Sequence, residues 1–488
     1  MTADVQDVAI LGAGFGGLGM AAQFVRAGIT DFSVLERADD IGGVWRDNSY
    51  PGAACDTEAH LYCYGFAPHL RVSRMYAGRD ELMQYIRRIA DDFALHPHIE
   101  LNTEVVDARW DAQSAVWVLV TADGAVRRAR FLITAWGQLG TPVVPGFSGR
   151  DDFAGIAFHS AEWRHDIDLT GKRVISIGNA ASAVQYVPEI APIVEHLTVL
   201  QRSANWIMPR NQIVFTDEQL EAFETDPALF DQSRAELHEF RENGFKRMRV
   251  GSDEQAAGVH LALEHLASQV ADPVLRAKLT PGYEFGCKRV LRSDDYYLAL
   301  TRDNVELVTE AIDRIVPEGV RTVDGVVHEA DVIIWGTGFA SQTFQGDMRV
   351  TGRDGADLAE RWAKGAEAYL GMTVDGFPNM FMLYGPNTNL NHNSIMTMLE
   401  AQQDYIIEVL QQLLPRGGSA VEVRREVLDT FNDAMQGQMR ASAFATDCSS
   451  WYKDASGKVI NNWSGTVDEY RALAGDWNPA DFVVTAGR

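Results

Sequence analysis

Residues 8–17 read Val-Ala-Ile-Leu-Gly-Ala-Gly-Phe-Gly-Gly, an apolar run that breaks into closely spaced glycines. A helical pattern continues through Ala27, and residues 32–37, Phe-Ser-Val-Leu-Glu-Arg, begin with a second apolar run. A short continuous apolar run is typical of a strand buried on both faces of a parallel sheet. Strand, glycine turn, helix and strand in this order predict a Rossmann-type α/β unit, in which a G-x-G-x-x-G turn binds a dinucleotide.

The residues of this first turn have separate roles in such a site. Gly12 permits the tight turn, Gly14 lets the backbone approach a pyrophosphate, and Gly17 lets the helix pack closely on the strand. The helix N-terminus directs its free N–H groups at the phosphates. Glu36 ends the second strand, where a carboxylate can accept hydrogen bonds from ribose hydroxyls. These residues predict a first dinucleotide site.

The same design recurs later in the chain, which predicts a second unit of the same kind. An apolar run at residues 174–177 leads into the turn Gly178-Asn-Ala-Ala-Ser-Ala, and a helix then leads to a strand at residues 197–200. Gly178 and Ser182 are the residues of this turn that we assign to the cofactor. Ala180 stands at the position of the second glycine, where its methyl group narrows the approach to the pyrophosphate.

The second unit differs from the first at the end of its second strand. Gln201 stands where the first unit has Glu36, and Arg202 and Ser203 follow it. A carboxylate at this place would repel a 2′-phosphate, whereas an arginine binds one with its forked guanidinium. The second site is therefore predicted to take NADPH.

The remaining sequence suggests how the two units are arranged. Apolar runs that end in glycine, at residues 131–137 and 332–338, each fit a late strand of one unit. Between them, acidic residues follow helical spacing, which predicts a helical insertion in the second unit. We expect an α/β fold with two Rossmann-type dinucleotide-binding domains. The predicted bounds are residues 1–140 with 384–488 for the first domain, 150–210 with 286–383 for the second, and 211–285 for the insertion.

Charge limits the classes of partner. The chain of 488 residues has 43 Lys and Arg against 68 Asp and Glu, which gives a formal net charge of −25. Such an acidic protein repels nucleic acid and anionic lipid, so neither a nucleic acid nor a membrane is expected as a partner. Any phosphate ligand must instead be bound by local geometry.

Targeting signals and cysteines point to the cytoplasm. The first residues lack the basic region of a signal peptide, and no apolar run is long enough to span a bilayer. The cysteines are scattered and form no C-x-x-C pair, which argues against a disulfide framework, a zinc ribbon and a dithiol redox centre. A cytoplasmic protein without a metal site is expected. The cysteines are Cys55, Cys63, Cys287 and Cys448.

Residues 42–56 are more specific than either glycine turn. They read Gly-Gly-Val-Trp-Arg-Asp-Asn-Ser-Tyr-Pro-Gly-Ala-Ala-Cys-Asp. At every fixed position they resemble the signature A/G-G-x-W-x4-F/Y-P-G/M-x3-D of type I Baeyer–Villiger monooxygenases, which are related to the flavin-containing monooxygenases. The resemblance extends from about residue 8 to residue 470.

A second fingerprint of that family, F-x-G-x3-H-x3-W-P/D, is similar to a segment near the start of the predicted second domain. In the family its histidine is a hinge residue rather than a base. The sequence departs from the fingerprint at the last position, where Arg164 stands in place of Pro or Asp. The matching residues are Phe153, Gly155, His159 and Trp163.

The resemblance implies FAD in the first domain, NADPH in the second, and O2 as co-substrate. It implies oxidation of a ketone, or of a sulfide, with a ketone giving an ester or lactone through a peroxide on flavin atom C4a. By position in the family pattern, Arg289 is the reactive arginine and Asp56, which closes the signature, is its partner. A fixed guanidinium stabilises peroxide and oxyanion charge, and a buried carboxylate orients the guanidinium and balances its charge.

The resemblance also adds residues to the two cofactor sites. Lys288 is similar to the family residue that binds the 2′-phosphate together with Arg202 and Ser203. Trp45 and Asp56, both in the signature, are assigned to cofactor binding as well.

Other functions remain open at this stage. An N- or S-oxygenating flavin monooxygenase shares both nucleotide domains but generally lacks the complete signature with its terminal Asp. A pyridine-nucleotide disulfide reductase shares the architecture but needs paired cysteines. A nucleotide-binding sensor without turnover is disfavoured by the Lys288–Arg289 pair and favoured mildly by Ala180.

Overall fold

The strand that opens the sequence lies in the interior of a mixed β-sheet in a computed structural model, which describes residues 5–417 and 419–485. The first strands are β1 (Val5–Leu11), β2 (Phe32–Leu35), β3 (Ile99–Glu100), β4 (Val105–Asp111), β5 (Val116–Thr121), β6 (Val126–Thr134), β7 (Ile156–His159), β8 (Arg173–Ile177), β9 (His196–Leu200) and β10 (Ile207–Met208). The others are β11 (Leu291–Arg292), β12 (Val305–Val308), β13 (Ile312–Val316), β14 (Gly319–Thr322), β15 (Val327–Glu329), β16 (Val332–Trp335), β17 (Arg349–Thr351), β18 (Met380–Met382), β19 (Ala420–Val423) and β20 (Phe482–Thr485).

The helices connect these strands and cover the sheets. The first are α1 (Phe15–Ala27), α2 (Val44–Asp47), α3 (Arg79–Asp92), α4 (Ala181–Ile190), α5 (Asp217–Thr225), α6 (Pro227–Gly244) and α7 (Asp253–Gln269). The others are α8 (Pro273–Leu279), α9 (Tyr296–Leu300), α10 (Leu358–Arg361), α11 (Ile395–Leu413), α12 (Arg425–Met439) and α13 (Val467–Leu473).

The larger sheet has the strand order β17-β4-β5-β6-β1-β2-β3, and β18 also pairs with β6. Strand β1 runs parallel to both β2 and β6. Val8, Ala9 and Ile10 are at most 1% exposed, because the sheet is covered on both faces, as the unbroken apolar run predicted. Helix α1 packs against α11, whose N-terminus is capped by the hydroxyl of Ser394.

The second sheet, β12-β9-β8-β16-β7, is parallel throughout. Helices α5 to α8 are inserted between β10 and β11. Thr216 starts α5 with a capping box, and Asp272 caps α8. The structure confirms the expected α/β fold, with two Rossmann-type units and a helical insertion in the second.

Two short strands join the larger sheet late in the chain. β17 pairs with β4, and β18 pairs with β6. Both strands lie within the predicted bounds of the second domain, whose predicted end is residue 383. Because both strands pair with the larger sheet, the chain returns to that sheet at β17, earlier than the predicted boundary.

One expectation about the cysteines is wrong. Cys287 and Cys448 form a disulfide across 161 residues, with their Cα atoms 6.4 Å apart. Spacing along the sequence gives no sign that the loop after α12 packs against the segment before Lys288. Cys55 and Cys63 are buried free thiols. Across the described ranges, no helix is both long and apolar enough to cross a membrane.

Candidate active site at two nucleotide turns

The first glycine turn directly follows β1. Gly12 has φ +102°, and an added Cβ would lie 2.7 Å from the carbonyl oxygen of Ala135, so the site accepts only glycine. Gly14 starts α1 without a side-chain cap and lies so close to Gly43 that a Cβ on Gly43 would be 3.1 Å from its Cα. Gly17 packs against the carbonyl of Gly12. The turn therefore leaves the N–H groups of α1 uncovered by side chains, as phosphate binding requires.

Glu36 lies beside this turn and is 5% exposed. Its carboxylate accepts hydrogen bonds from the N–H groups of Ala13, at 2.7 Å, and Ala38, at 3.0 Å. Arg46 donates to the same carboxylate at 3.2 Å, a contact that the sequence analysis missed. Arg46 directly follows Trp45 in the signature, and this position in the motif could have marked it as a candidate residue of the first nucleotide site. Glu36 is thus held at the turn, at the position predicted for a ribose partner.

The second turn repeats the geometry of the first. Gly178 has φ +106°, and a Cβ added to it would collide with the carbonyl of Gly336. A Cβ added to Gly12 would collide with the carbonyl of Ala135 in the same way. Ala180, the departure from the fingerprint, starts α4 with φ −85° and ψ −160°, almost the angles of Gly14, −84° and −168°. Since these angles suit any residue and Ala180 is exposed, its methyl group does not distort the turn.

Three residues predicted for the 2′-phosphate come together beside this turn. The Lys288 ammonium donates to the Ser203 hydroxyl at 2.9 Å and lies 4.5 Å from the centre of the Tyr283 ring. Burial, followed by the charge of nearby Arg202, lowers the pKa of Lys288. Gln201, 4% exposed, accepts a hydrogen bond from the side chain of Asn179 at 2.7 Å. Lys288 and Arg202 thus lie near each other, and the position that corresponds to Glu36 of the first unit is occupied by the neutral Gln201.

The signature segment is bound to the helix of the second turn. The Gln185 side chain of α4 accepts from the Tyr50 hydroxyl at 2.9 Å and donates to the carbonyl of Ala54 at 2.9 Å. Burial raises the pKa of Tyr50 to about 12, although Ser182, which is predicted for the cofactor, lies near this hydroxyl and lowers its pKa in part. Trp45, at the other end of the segment, donates to the Tyr62 hydroxyl at 3.2 Å. The segment therefore links the two nucleotide turns.

Asp56, at the end of the signature, meets Arg289. The guanidinium donates to both carboxylate oxygens, with distances of 3.0 Å from Nε to Oδ2 and 2.6 Å from Nη2 to Oδ1. Burial alone would raise the pKa of Asp56, but the charge and hydrogen bonds of Arg289 outweigh it and lower that pKa. The charge of Asp56 in turn raises the pKa of Arg289. Both groups are therefore ionised at neutral pH, and the arginine is held in one orientation.

His159 of the second fingerprint hydrogen-bonds to the backbone near the second turn and does not contact the Asp56–Arg289 pair. Its Nδ1 accepts from the N–H of Ala161 at 3.1 Å, so Nε2 carries the proton and donates to the carbonyl of Gly338 at 3.0 Å. Burial lowers the pKa of His159, which keeps it neutral. Arg164, where the fingerprint has Pro or Asp, forms an exposed ion pair with Asp166.

A cleft opens at the Asp56–Arg289 pair and is lined by further arginines. Arg241 and Arg247 come from the helical insertion, and Arg292 from β11. These arginines were not among the predicted site residues, because the insertion as a whole is acidic and was predicted only as a helical element. The signal was present, since residues 241–249 are a basic stretch within an otherwise acidic insertion.

Two glycine turns, one beside a buried acid and the other beside a lysine and an arginine, define a protein with two dinucleotide sites. The family model described as flavin-binding monooxygenase-like matches residues 5–215. A protein of Streptomyces coelicolor named Baeyer–Villiger monooxygenase is 41% identical over 466 residues, which cover 95% of this chain and 90% of the relative. The chain belongs to the Baeyer–Villiger monooxygenase family.

Solved structures agree with this assignment. The closed crystal structure of cyclohexanone monooxygenase superposes with a TM-score of 0.89 at 27% identity and covers 100% of both chains. OTEMO in complex with FAD and NADP superposes with a TM-score of 0.88 at 27% identity, over 98% of this chain and 99% of that one. The similarity thus extends to both dinucleotide-binding units and the insertion.

Proposed function

We propose that this protein is a Baeyer–Villiger monooxygenase that converts a ketone into an ester or lactone. A ketone, O2, NADPH and a proton give the ester, NADP+ and water. One oxygen atom enters the bond between the carbonyl carbon and its neighbour, and the other leaves in water. The observation that carries the proposal is the Arg289–Asp56 ion pair, which lines a cleft and stands at the end of the segment that joins the nucleotide turns.

FAD fits the first turn. The N-terminus of α1 has no side-chain cap and no acid in its first turn, and Gly14 and Gly43 leave no Cβ in the way of a pyrophosphate. Gly12, Gly17, Glu36 and the signature with Trp45 complete this site. When bound, the flavin supplies the redox chemistry that activates O2.

NADPH fits the second turn. The N-terminus of α4 is likewise free of a side-chain cap and of acids, and Gly178 and Ser182 belong to it. Arg202, Ser203 and Lys288 bind the 2′-phosphate, because two cations and a hydroxyl converge there without a carboxylate. Ala180 leaves the turn open because it adopts the backbone angles of Gly14.

Arg289 and Asp56 act as a unit during oxygen transfer. The Arg289 guanidinium remains charged at every working pH and stabilises negative charge on the reacting oxygen atoms. Asp56 binds it from one side and fixes the orientation of its N–H groups. The carboxylate of Asp56 also offsets the desolvation free energy of the partly buried Arg289 guanidinium.

The sheets suggest a domain division close to the expected one. We place residues 1–140 in the FAD domain, 150–210 and the strands after 286 in the NADPH domain, and 211–285 in the insertion. The return to the FAD domain comes earlier than residue 384, since β17 and β18 already pair with its sheet. Limited proteolysis with mass analysis of the fragments tests these bounds.

The charge and the cofactors also suggest where the protein works and what it avoids. Its net charge of −25 repels nucleic acid, so its partners are small molecules and O2. We place it in the cytoplasm, where cells regenerate NADPH. Cell fractionation with a cytoplasmic marker tests this location.

The test of function is turnover by the purified, FAD-loaded protein. NADPH oxidation is followed with a panel of ketones, sulfides and amines, and the products are identified by mass spectrometry. Ester or lactone formation from ketones is expected. Oxidation of amines alone would point to an N-oxygenating monooxygenase, and NADPH binding without any turnover would point to a nucleotide sensor.

A further inference from the structure

Four arginines line the cleft beside the reaction site: Arg241, Arg247, Arg289 and Arg292. Among the described residues that line it, Asp56 is the single carboxylate. This concentration of positive charge stands in a protein whose formal net charge is −25. These four arginines are not simply solvent-exposed surface charges, because their side chains line a partly buried cavity.

Two of these arginines are neutralised by neighbours. Arg289 pairs with Asp56 at 2.6 Å, and Arg241 pairs with Glu58 at 2.7 Å. The Arg241 and Glu58 side chains are only 9% and 5% exposed, so this second pair is buried. The positive charge of Arg289 and that of Arg241 are therefore each balanced by a carboxylate.

The other two arginines form no salt bridge in the described chain, although the charges of Glu58 and Asp56 act on Arg292 from a distance. In residues 5–417 and 419–485, neither Arg247 nor Arg292 forms a salt bridge or a side-chain hydrogen bond, although both are partly buried. Burial, followed by the charge of Arg241, lowers the pKa of both groups. Arginine nevertheless stays charged at neutral pH. An unpaired, partly desolvated cation costs free energy that an anionic ligand can recover.

The unpaired arginines lie apart from the dinucleotide turns. Within the described chain, the cleft lining includes neither the Gly178 turn nor Arg202, Ser203 or Lys288. Besides the arginines, the lining has polar side chains, from Thr57, Asn391, His392 and Asn393, and apolar ones on which the hydrocarbon part of a ligand can pack. The apolar side chains include Met208, Phe240, Met248 and Phe285.

We propose that this cleft selects ketones that carry a carboxylate, with the carboxylate bound by Arg247 and Arg292. The apolar side chains take the hydrocarbon part of such a keto acid, and Arg289 lies beside its carbonyl group. This inference rests on the proposed function, since it names the substrate class of the same site. The carboxylate is unchanged by the reaction, so the product is an ester that keeps the acid group.

The test compares a matched pair of substrates with the FAD-loaded enzyme and NADPH. A medium-chain methyl ketone with a carboxylate at its far end is compared with its methyl ester. We expect kcat/KM for the acid to exceed that for the ester by about tenfold or more. Arg247→Gln and Arg292→Gln should each lower this ratio about tenfold. Arg249→Gln is the matched control, because Arg249 is exposed two residues from Arg247 and should leave the ratio unchanged.

The outcomes separate the two proposals. Ester formation from both substrates with no preference for the acid, or a preference that survives both variants, would overturn the inference and leave the proposed function standing. A rise in KM for NADPH with an unaltered acid-to-ester ratio would assign the arginines to the dinucleotide and also overturn it. If neither substrate is oxidised, calorimetry with the same pair decides. Binding of the acid alone, lost in Arg247→Gln, supports the anion site while the proposed function fails, and equal binding overturns the anion site.

Discussion

Arg289 and Asp56 stand 233 residues apart in the sequence and are joined by three hydrogen bonds of 2.6 to 3.0 Å. Asp56 ends the signature segment, which Gln185 ties to the second nucleotide turn. The arginine that would stabilise negative charge is thus oriented by a segment that contacts both cofactor sites. Catalysis in such a site depends on this orientation, because a fixed donor need not reorganise during the reaction.

Removal of the guanidinium should abolish oxygen transfer. For Arg289→Ala we expect ester formation to fall by about a hundredfold or more, because a charged donor to the reacting oxygen is lost. NADPH binding should persist, since Lys288 and Arg202 remain. The measurement is ester formed per NADPH consumed. Arg249→Ala, an exposed arginine, is the control, and ester yield undiminished in Arg289→Ala would contradict the assigned role.

The link between the signature and α4 should affect activity without touching the reacting atoms. Gln185→Met keeps the size of the side chain but loses the hydrogen bonds to Tyr50 and Ala54. Since Asp56 is only two residues from Ala54, we expect kcat for ester formation to fall about tenfold, as about 1–2 kcal/mol of positioning is lost. Tyr50→Phe removes one of the hydrogen bonds and should have a smaller effect. Equal and unchanged kcat in both variants would show that the link does not position Asp56.

Nucleotide preference should depend on Arg202. Replacement by Gln removes a cation beside Ser203 and Lys288, so KM for NADPH should rise about tenfold while KM for NADH changes little. Steady-state kinetics with both nucleotides measures this. Arg302→Gln, an exposed arginine near the same sheet, serves as control. A parallel rise for NADH would mean that Arg202 acts on the fold and not on the 2′-phosphate.

Acid should loosen the helical insertion before the rest of the chain. Glu242 of α6 accepts hydrogen bonds from Asn393 at 2.6 Å and from the N–H of Asp468 at 3.1 Å. Burial raises the pKa of Glu242, but the nearby His392 imidazole and the hydrogen bonds from Asn393 and the N–H of Asp468 outweigh it and bring the pKa to about 2. Because the folded pKa lies below the unfolded value of about 4.3, this stabilisation is complete above that pH and is lost as the pH falls towards 2.

The measurement for this prediction is thermal unfolding between neutral pH and pH 3. The native protein should lose on the order of 2 kcal/mol of stability through this group, while Glu242→Gln should be less stable at neutral pH and less sensitive to acid. An acid sensitivity identical in the two proteins would exclude Glu242 as its source.

The local parts of the account could be read from the sequence. Gly12 and Gly178 depend on short-range backbone geometry, so the spacing of the glycines between apolar runs predicted two Rossmann-type units. The Asp56–Arg289 contact was expected only through the family resemblance. The disulfide between Cys287 and Cys448 and the unpaired Arg247 depend on packing between distant segments. Short spacing rules carry no information about such contacts.

Isotope labelling follows the oxygen atom that the proposed reaction transfers to the ketone. The purified, FAD-loaded protein is supplied with a ketone, NADPH and ¹⁸O2, and the product is analysed by mass spectrometry. For the proposed reaction we expect an ester or lactone that carries one labelled oxygen in the newly formed C–O–C linkage. Consumption of NADPH with unlabelled ketone recovered unchanged, or a label found only in water or hydrogen peroxide, would contradict it.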